Sequence, residues 1–555
     1  MIEELKNKKL QVKFENGKEA TVKFGTSAID ALKSAKVDMS GLLAVKVNNA
    51  MKTASAPLVE DSMVEKITLT DQDGHRVYVR TVKFLLHIAL KRLYPNLDVE
   101  VCNTIDGIVY FICENMKFTQ VMAEELLKEM RSIVARNSKI DKMVVSYEEA
   151  KYLFDHNGHP NALRGISVYM QPTVTIYKAE DTYGLTDGIL APTTGCTPDF
   201  EIKKFRRGFA LMLPKRSDPT KINATISESP LYEVFEKNGD FLRILGVTNV
   251  PEINNKVVTG KMPDIVRVAE ADHENRMADL MNDIKTKGTK RLFMIAGPSS
   301  SGKTTFANKL CINLKLIGYN PIVVSMDNYF KEREDNPKLP NGEYDFETID
   351  ALDLDLFNRH IAALYDGKTV EMPEFNFLTG EKEYKGKTLR LGPKDVIVLE
   401  GIHALNPALL KDIDDKLKYK IYIAPMTTLN IDDYSKVSTT DTRMLRRIVR
   451  DYHTRGHKVE RTLAMWPNLR TGETKYIYPN IKYADYIFNT SLVYEIGALK
   501  TFAEPLLLQV DKSSEYFSES RRLYHFVQKF LPIETKDIPG DSIVREFIGN
   551  ASLKI

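Results

Sequence analysis

Residues 291–319 read RLFMIAGPSSSGKTTFANKLCINLKLIGY. The order is an apolar strand, a glycine-rich loop and a helix. Within it, Gly297-x4-Gly302-Lys303-Thr304 has the spacing of a phosphate-binding P-loop in the context that motif requires. The glycines let backbone N–H groups approach phosphate oxygens, and the helix N-terminus adds a favourable dipole. Lys303 is placed to bind β- and γ-phosphates and Thr304 to help hold Mg²⁺. The expected ATP-binding set is Gly297, Ser299, Ser300, Ser301, Gly302, Lys303, Thr304 and Thr305. An accidental turn is the competing reading, disfavoured by the strand and helix on either side.

Outward from the loop, PIVVSMDNYF (321–330) reads as a second strand with Asp327 just beyond its end. Ligands of an open parallel sheet bind at that carboxyl edge. An aspartate there can accept a proton from an attacking hydroxyl or position a metal; the bland alternative is an exposed turn carboxylate. VIVLEGIHAL (396–405) reads as a third buried strand ending in Glu400-Gly401, where a carboxylate suits Mg²⁺ binding, direct or through water. DTRMLRRIVRDYHTRGHKVERT (441–462) sets Arg443, Arg446, Arg447 and Arg450 at helical spacings, followed by Arg455. This is either a solvated basic face or a lid whose guanidiniums close over transferring phosphates.

The chain has 555 residues, enough for three or four domains at about 150 residues each. Hydrophobic residues at 43% and charged residues at 28% exclude a largely disordered or fibrous chain, and a net charge of +3 implies no polyanion partner by itself. Cys102, Cys113, Cys196 and Cys311 lie far apart with no CxxC pair, which disfavours a disulfide framework and a cysteine-rich zinc site. With no apolar signal core and no run of about 18 apolar residues, a cytoplasmic address and no membrane partner are expected.

Three blocks and a tail are expected. Residues 1–72 read as a small α+β unit: KLQVKF and EATVKF alternate around the turn at Glu15-Asn16-Gly17, and SAIDALKSA and LLAVKVNN follow as helix and strand. Residues 73–250 mix helices (RTVKFLLHIALKRLY, TQVMAEELLKEMRSIVAR) with strands (GIVYFIC, TVTIYKA, FALMLP). The polar stretch 251–287 reads as a helical linker, 288–495 as an α/β block with a parallel sheet, and 496–555 as a helical extension.

GPSSSGKT, SMDNYF, GEYDFETIDALD, EMPEFNF, VIVLEG, DTRMLRRIVRD and KYADYIF, in this order, resemble the uridine kinase family and more distantly phosphoribulokinase, over about 288–495. The resemblance implies an α/β P-loop kinase that uses ATP and Mg²⁺. It matches Asp327 with the base that activates a sugar 5′-hydroxyl and Asp345 with the ribose-binding carboxylate. Thr304, Asp327 and Glu400 then belong to the metal site. Arg447, Arg450 and Arg455 match arginines near substrate or phosphates, Arg447 on the substrate side and Arg450 and Arg455 with Lys303 in catalysis. Phe375 stands where the family has a base-stacking tyrosine, Gly380 where it has a base-reading histidine, His457 for an arginine and Met465 for a glutamine. Polar groups that read a base discriminate steeply, so their loss together opens the question of which acceptor is used.

FGTSAIDALKSA and LLAVKVNN resemble the ubiquitin-like TGS domain of threonyl-tRNA synthetase, and FLLHIALKRLYP, DGIVYF and DGILAPTTG resemble its editing domain. That domain uses an HxxxH helix with a later Cys and His; this chain has Arg80, Phe84, Thr186 and Leu190 at those positions, so hydrolytic editing is not expected. His87 reads as a core residue, His156 and His159 as a turn, Cys196 as structural, and KKFRRG (203–208) as a solvated loop rather than an RNA footprint.

The leading expectation is a kinase that moves the γ-phosphate of ATP to a ribose hydroxyl of a nucleoside. The alternatives are a purine-nucleoside or free-sugar kinase, an ATPase switch, and a tRNA-binding regulatory protein. An oligomer is compatible with all of them.

Overall fold

The computed structural model describes residues 7–156, 160–186, 188–222, 225–226, 228–339, 342, 344–376, 379–432 and 434–553. The apolar runs around the P-loop form one parallel sheet. Its strands are β1 (Leu292–Ala296), β2 (Asn320–Ser325), β3 (Asp395–Glu400), β4 (Lys418–Ala424) and β5 (Tyr486–Asn489), in the spatial order β2-β3-β1-β4-β5. Leu292 of β1 lies opposite Ile397 of β3 and Lys418 of β4, and every neighbouring pair is parallel. Such a sheet is covered on both faces, which is why its central strands are apolar without alternation. Phe293, Ile295, Val398 and Ile421 face one core; Leu292, Met294, Ile397 and Leu399 face the other.

The first core changes the reading of 251–287. That stretch is not a spacer but two helices, Val250–Val258 and Met262–Thr286, whose Ile253, Ile265, Met277, Leu280 and Ile284 pack in the same core as Phe293. The stretch reads as polar because its other face is solvated. Helix α1 (Lys303–Leu316), helix α2 (Thr439–Arg455) and the tail residues Leu499, Leu506, Phe526, Ile543 and Phe547 complete this core.

Residues 9–67 form a five-stranded mixed sheet with the helix Ala28–Ser34 on it, capped by Ser27, whose side chain accepts from the Asp30 N–H. The predicted hairpin is present, with Leu10 opposite Val22. Beyond it, the strands Val99–Ile105, Ile108–Cys113, Glu201–Phe205 and Gly208–Met212 form an antiparallel sheet. Every residue of Ile108–Cys113 is buried. One face of this sheet carries the helices Gln72–Leu93 and Gln120–Arg136, while Tyr110, Ile112, Ala210 and Met212 on the other share the second core of the parallel sheet.

Two smaller expectations change. KKFRRG is not a solvated loop. Lys203 and Lys204 lie in a strand, and the turn arginines are neutralised: Arg206 pairs with Glu236 at 2.9 Å and Arg207 with Asp240 at 3.0 Å. His156 ends a helix, Tyr147–His156, rather than sitting in a turn, and His159 lies outside the described residues. His87 is buried, its Nε2 at 3.3 Å from the Tyr183 carbonyl, and Cys196 Sγ is 3.3 Å from Thr193 Oγ1. Among the described residues no helix is long and apolar enough to cross a membrane.

Candidate active site

The P-loop turns sharply between β1 and α1, and its backbone shows why glycine is needed. A Cβ at Gly297 would stand 2.3 Å from the Ile423 carbonyl oxygen, and Gly302 has φ +90°, a region side chains disfavour. Ser300 also adopts a positive φ, +58°. The hydroxyl oxygens of Ser300 and Ser301 are buried without a hydrogen-bond partner, polar atoms in a loop whose chemistry is to receive phosphate oxygens. Lys303 donates to the Gly297 and Pro298 carbonyls at 3.0 and 3.2 Å. Burial holds its ammonium below the ordinary lysine value, against the pull of Glu400, Asp327 and Glu546.

Two strand ends bring acids to this loop. Thr304 Oγ1 donates to Glu400 Oε2 at 3.3 Å, and burial, with Asp327 and Glu546 adding to it, pushes the Glu400 carboxyl up to about 7. Asp327 sits exposed in the short 3-10 turn Met326–Tyr329 after β2. The surrounding protein still desolvates its carboxyl enough to raise it, with Lys303, Arg455 and Arg450 opposing. Among the described residues no group of three or more His, Cys, Asp or Glu gathers as a metal cage. A hydroxyl and one or two carboxylates beside phosphates is the arrangement Mg²⁺ uses.

The arginine helix α2 is not a solvated face. Arg443 and Arg446 are 1% and 0% exposed. Arg443 pairs with buried Glu473 and donates from Nε to the Ser299 carbonyl at 2.8 Å. Arg446 pairs with buried Glu495 at 2.6 Å and reaches the Ser300 and Ser301 carbonyls at 3.4 Å. These two side chains brace the back of the P-loop. Arg447, Arg450 and Arg455 gather on Asp451, at 3.1, 2.8 and 3.4 Å, and Arg447 also donates to Ser299 Oγ at 2.6 Å. Burial brings the Arg447 guanidinium down to about 10.

On the acceptor side, Asp345 closes a turn: its Oδ1 accepts the Glu347 N–H at 3.1 Å. Glu347 is the carboxylate in electrostatic contact with Arg447, Lys303 and Asp327, and burial together with Glu473 pushes it up to about 7. It stands two positions beyond Asp345 in the same GEYDFETIDALD segment. The Phe375 ring is buried 5.7 Å from that of Phe330, which in turn lies 6.2 Å from Phe346. A Cβ at Gly380 would stand 2.9 Å from the Arg333 side chain, so arginine fills the space there. His457 follows α2, its N–H on the Asp451 carbonyl at 3.1 Å, and Met465 is exposed on the helix Val459–Gly472.

A second cleft lies away from the P-loop. Arg80, Lys83, Phe84 and His87 line it from one helix, with Thr186 opposite and Asp432, Tyr434 and Ser435 from the segment before α2. Arg80, Phe84 and Thr186 meet there, and Leu190 is buried. Burial brings the Lys83 amine down to about 8.

Compared with known proteins, residues 292–496 match the model of the phosphoribulokinase / uridine kinase family. The chain is 33% identical over 194 residues to a uridine kinase of Macrococcus caseolyticus, covering 35% of this chain and 84% of that one. Uridine kinases of Staphylococcus haemolyticus and Halobacterium salinarum are 32% and 30% identical over the same length, with 84% and 77% of their chains covered.

Proposed function

The chain belongs to the phosphoribulokinase / uridine kinase family, and from that premise we propose that it transfers the γ-phosphoryl group of ATP to a ribose hydroxyl of a nucleoside. The observation that carries this reading is the P-loop between β1 and α1, with Lys303 on the Gly297 and Pro298 carbonyls and Thr304 on Glu400 at the end of β3, and with Asp327 and Glu347 in the field of Lys303. On ATP binding, Lys303 exchanges the Gly297 and Pro298 carbonyls for β- and γ-phosphate oxygens. Asp327 takes the proton of the acceptor hydroxyl as its oxygen bonds to the γ-phosphorus. The bond from that phosphorus to the β–γ bridging oxygen breaks, and ADP leaves. Glu347 orients the sugar, and Arg447, Arg450 and Arg455, collected by Asp451, balance charge on the transferring group. Thr304, Asp327 and Glu400 would hold Mg²⁺, which neutralises phosphate charge when bound.

A free sugar or a purine nucleoside is the second reading. It is favoured by Arg333, which fills the space beside Gly380 where the family resemblance places a base-reading histidine. ADP release measured against uridine, cytidine, inosine, guanosine, adenosine, ribose and other sugars separates these readings. Strong stimulation by a pyrimidine nucleoside supports the first, and stimulation by a purine nucleoside or sugar alone supports the second. Hydrolysis at full rate without any acceptor rejects both in favour of an ATPase switch.

Residues 1–72 and 73–250 we read as TGS-like and editing-like units without hydrolytic chemistry, in a cytoplasmic protein. The mixed sheet over 9–67 and the cleft at Arg80, Phe84 and Thr186 support this. Residues 251–287 and 496–555 we assign to the kinase unit 288–495, because they share its core.

A further inference from the structure

Thr305 stands at the head of α1, one residue past Thr304. Its backbone N–H and its hydroxyl both donate to Glu546 Oε2, at 3.2 and 2.8 Å. Glu546 belongs to the short helix Arg545–Ile548 near the far end of the chain, beyond the residues that match the family. Its seat is built. Ile543, wholly buried, presses its Cγ2 to within 2.6 Å of where a Cβ on Gly302 would stand. The Phe547 ring lies 4.9 Å from the Arg446 guanidinium, and Lys309 of α1 pairs with Asp541 at 3.3 Å. Val544, Phe547 and Ile548 are buried in the core shared with α1 and α2.

A P-loop works by presenting the amides at the head of its helix to the α- and β-phosphates. One of those amides, with its neighbouring hydroxyl, already holds an anion supplied by the chain itself. A carboxylate and a phosphate cannot share one N–H at hydrogen-bond distance, and their like charges repel there. We propose that Glu546 is an internal competitor for ATP: its carboxylate occupies the Thr305 donors that the α-phosphate takes, so the Glu546 side chain leaves the P-loop when nucleotide binds. This rests on the nucleotide-binding reading of the P-loop given above. The occupancy of that contact sets the apparent ATP affinity, because only the fraction with Glu546 off Thr305 is competent to bind.

The test uses the full chain and calorimetric titration with Mg²⁺-ATP. Glu546→Ala removes the carboxylate, and Ile543→Ala loosens the same docking without touching a charge. Both are checked for folding by thermal unfolding. Both variants are expected to bind ATP more tightly than wild type, Glu546→Ala by roughly tenfold, while adenosine, which lacks phosphate, binds all three alike. Equal ATP affinity in wild type and Glu546→Ala, with binding lost in Lys303→Ala, would overturn the competitor and leave the P-loop reading standing. ATP binding to none of the proteins overturns both.

Discussion

At Asp327 the environment and the chemistry agree. A carboxyl raised by the desolvating protein around it, yet within the field of Lys303, Arg450 and Arg455, holds a proton more readily than a free aspartate, as the proposed base requires. Asp327→Asn is expected to lower turnover by ~10²–10⁴-fold while ATP affinity shifts little. Parallel kcat and ATP-titration measurements check this, and equal loss of both rejects the assignment. Glu347 has a different task. Because its carboxyl titrates at about 7, it is protonated below that pH and a hydrogen-bond acceptor above it. The kcat/KM for the acceptor is therefore expected to rise through neutral pH, and Glu347→Gln is expected to flatten that rise and raise the acceptor KM without changing the KM for ATP. Asp345, matched on motif grounds, accepts the Glu347 backbone N–H. Side-chain direction within a turn is set by its hydrogen bonds, and residue order alone does not display it.

At the scale of elements, the decisive piece is α2. Its arginine spacing was legible, but the choice between a solvated face and a mobile lid was not, because the partners lie elsewhere: Glu473 follows the helix Val459–Gly472 and Glu495 opens the one after β5. Burial converts Arg443 and Arg446 into struts that fix the carbonyls of Ser299, Ser300 and Ser301. Removing one partner of a buried pair leaves an uncompensated charge. Arg446→Met is expected to cost about 3–5 kcal/mol of stability in denaturant unfolding and to weaken ATP binding with it. The double change Arg446→Met with Glu495→Leu should recover part of the stability.

Across the whole molecule, the halves are joined by a charge network as well as by the shared core. Arg76 of the helix Gln72–Leu93 pairs with Glu519 of the tail helix Phe517–Val527 at 2.5 Å; Arg522 of that helix holds Glu519 at 2.9 Å and Asp441 of α2 at 2.7 Å. Although burial opposes it, the two guanidiniums hold the Glu519 carboxyl far below the usual range. A depressed carboxyl binds fewer protons folded than unfolded, so its stabilisation is complete above its unfolded value of ~4.3 and is lost as pH falls below that. Glu519→Gln is expected to lower the melting temperature at neutral pH and to lessen the further drop on acidification. A variant whose melting temperature falls with acid as steeply as wild type would show that the network does not carry this linkage.

The P-loop, the parallel sheet and its acidic strand ends were determined by the sequence itself, because each rests on local rules: glycines where φ must be positive or backbone must approach closely, continuous apolar runs where a strand is covered on both faces, and a carboxylate where such a strand ends. Tertiary structure alone decided that Glu347 lies in the field of Lys303 and Arg447, that two of the helix arginines are buried braces, that 251–287 is core rather than linker, and that Glu546 reaches Thr305. Each of these depends on a partner distant in the chain, and burial and electrostatics act on distance in space, which no local pattern of residues encodes.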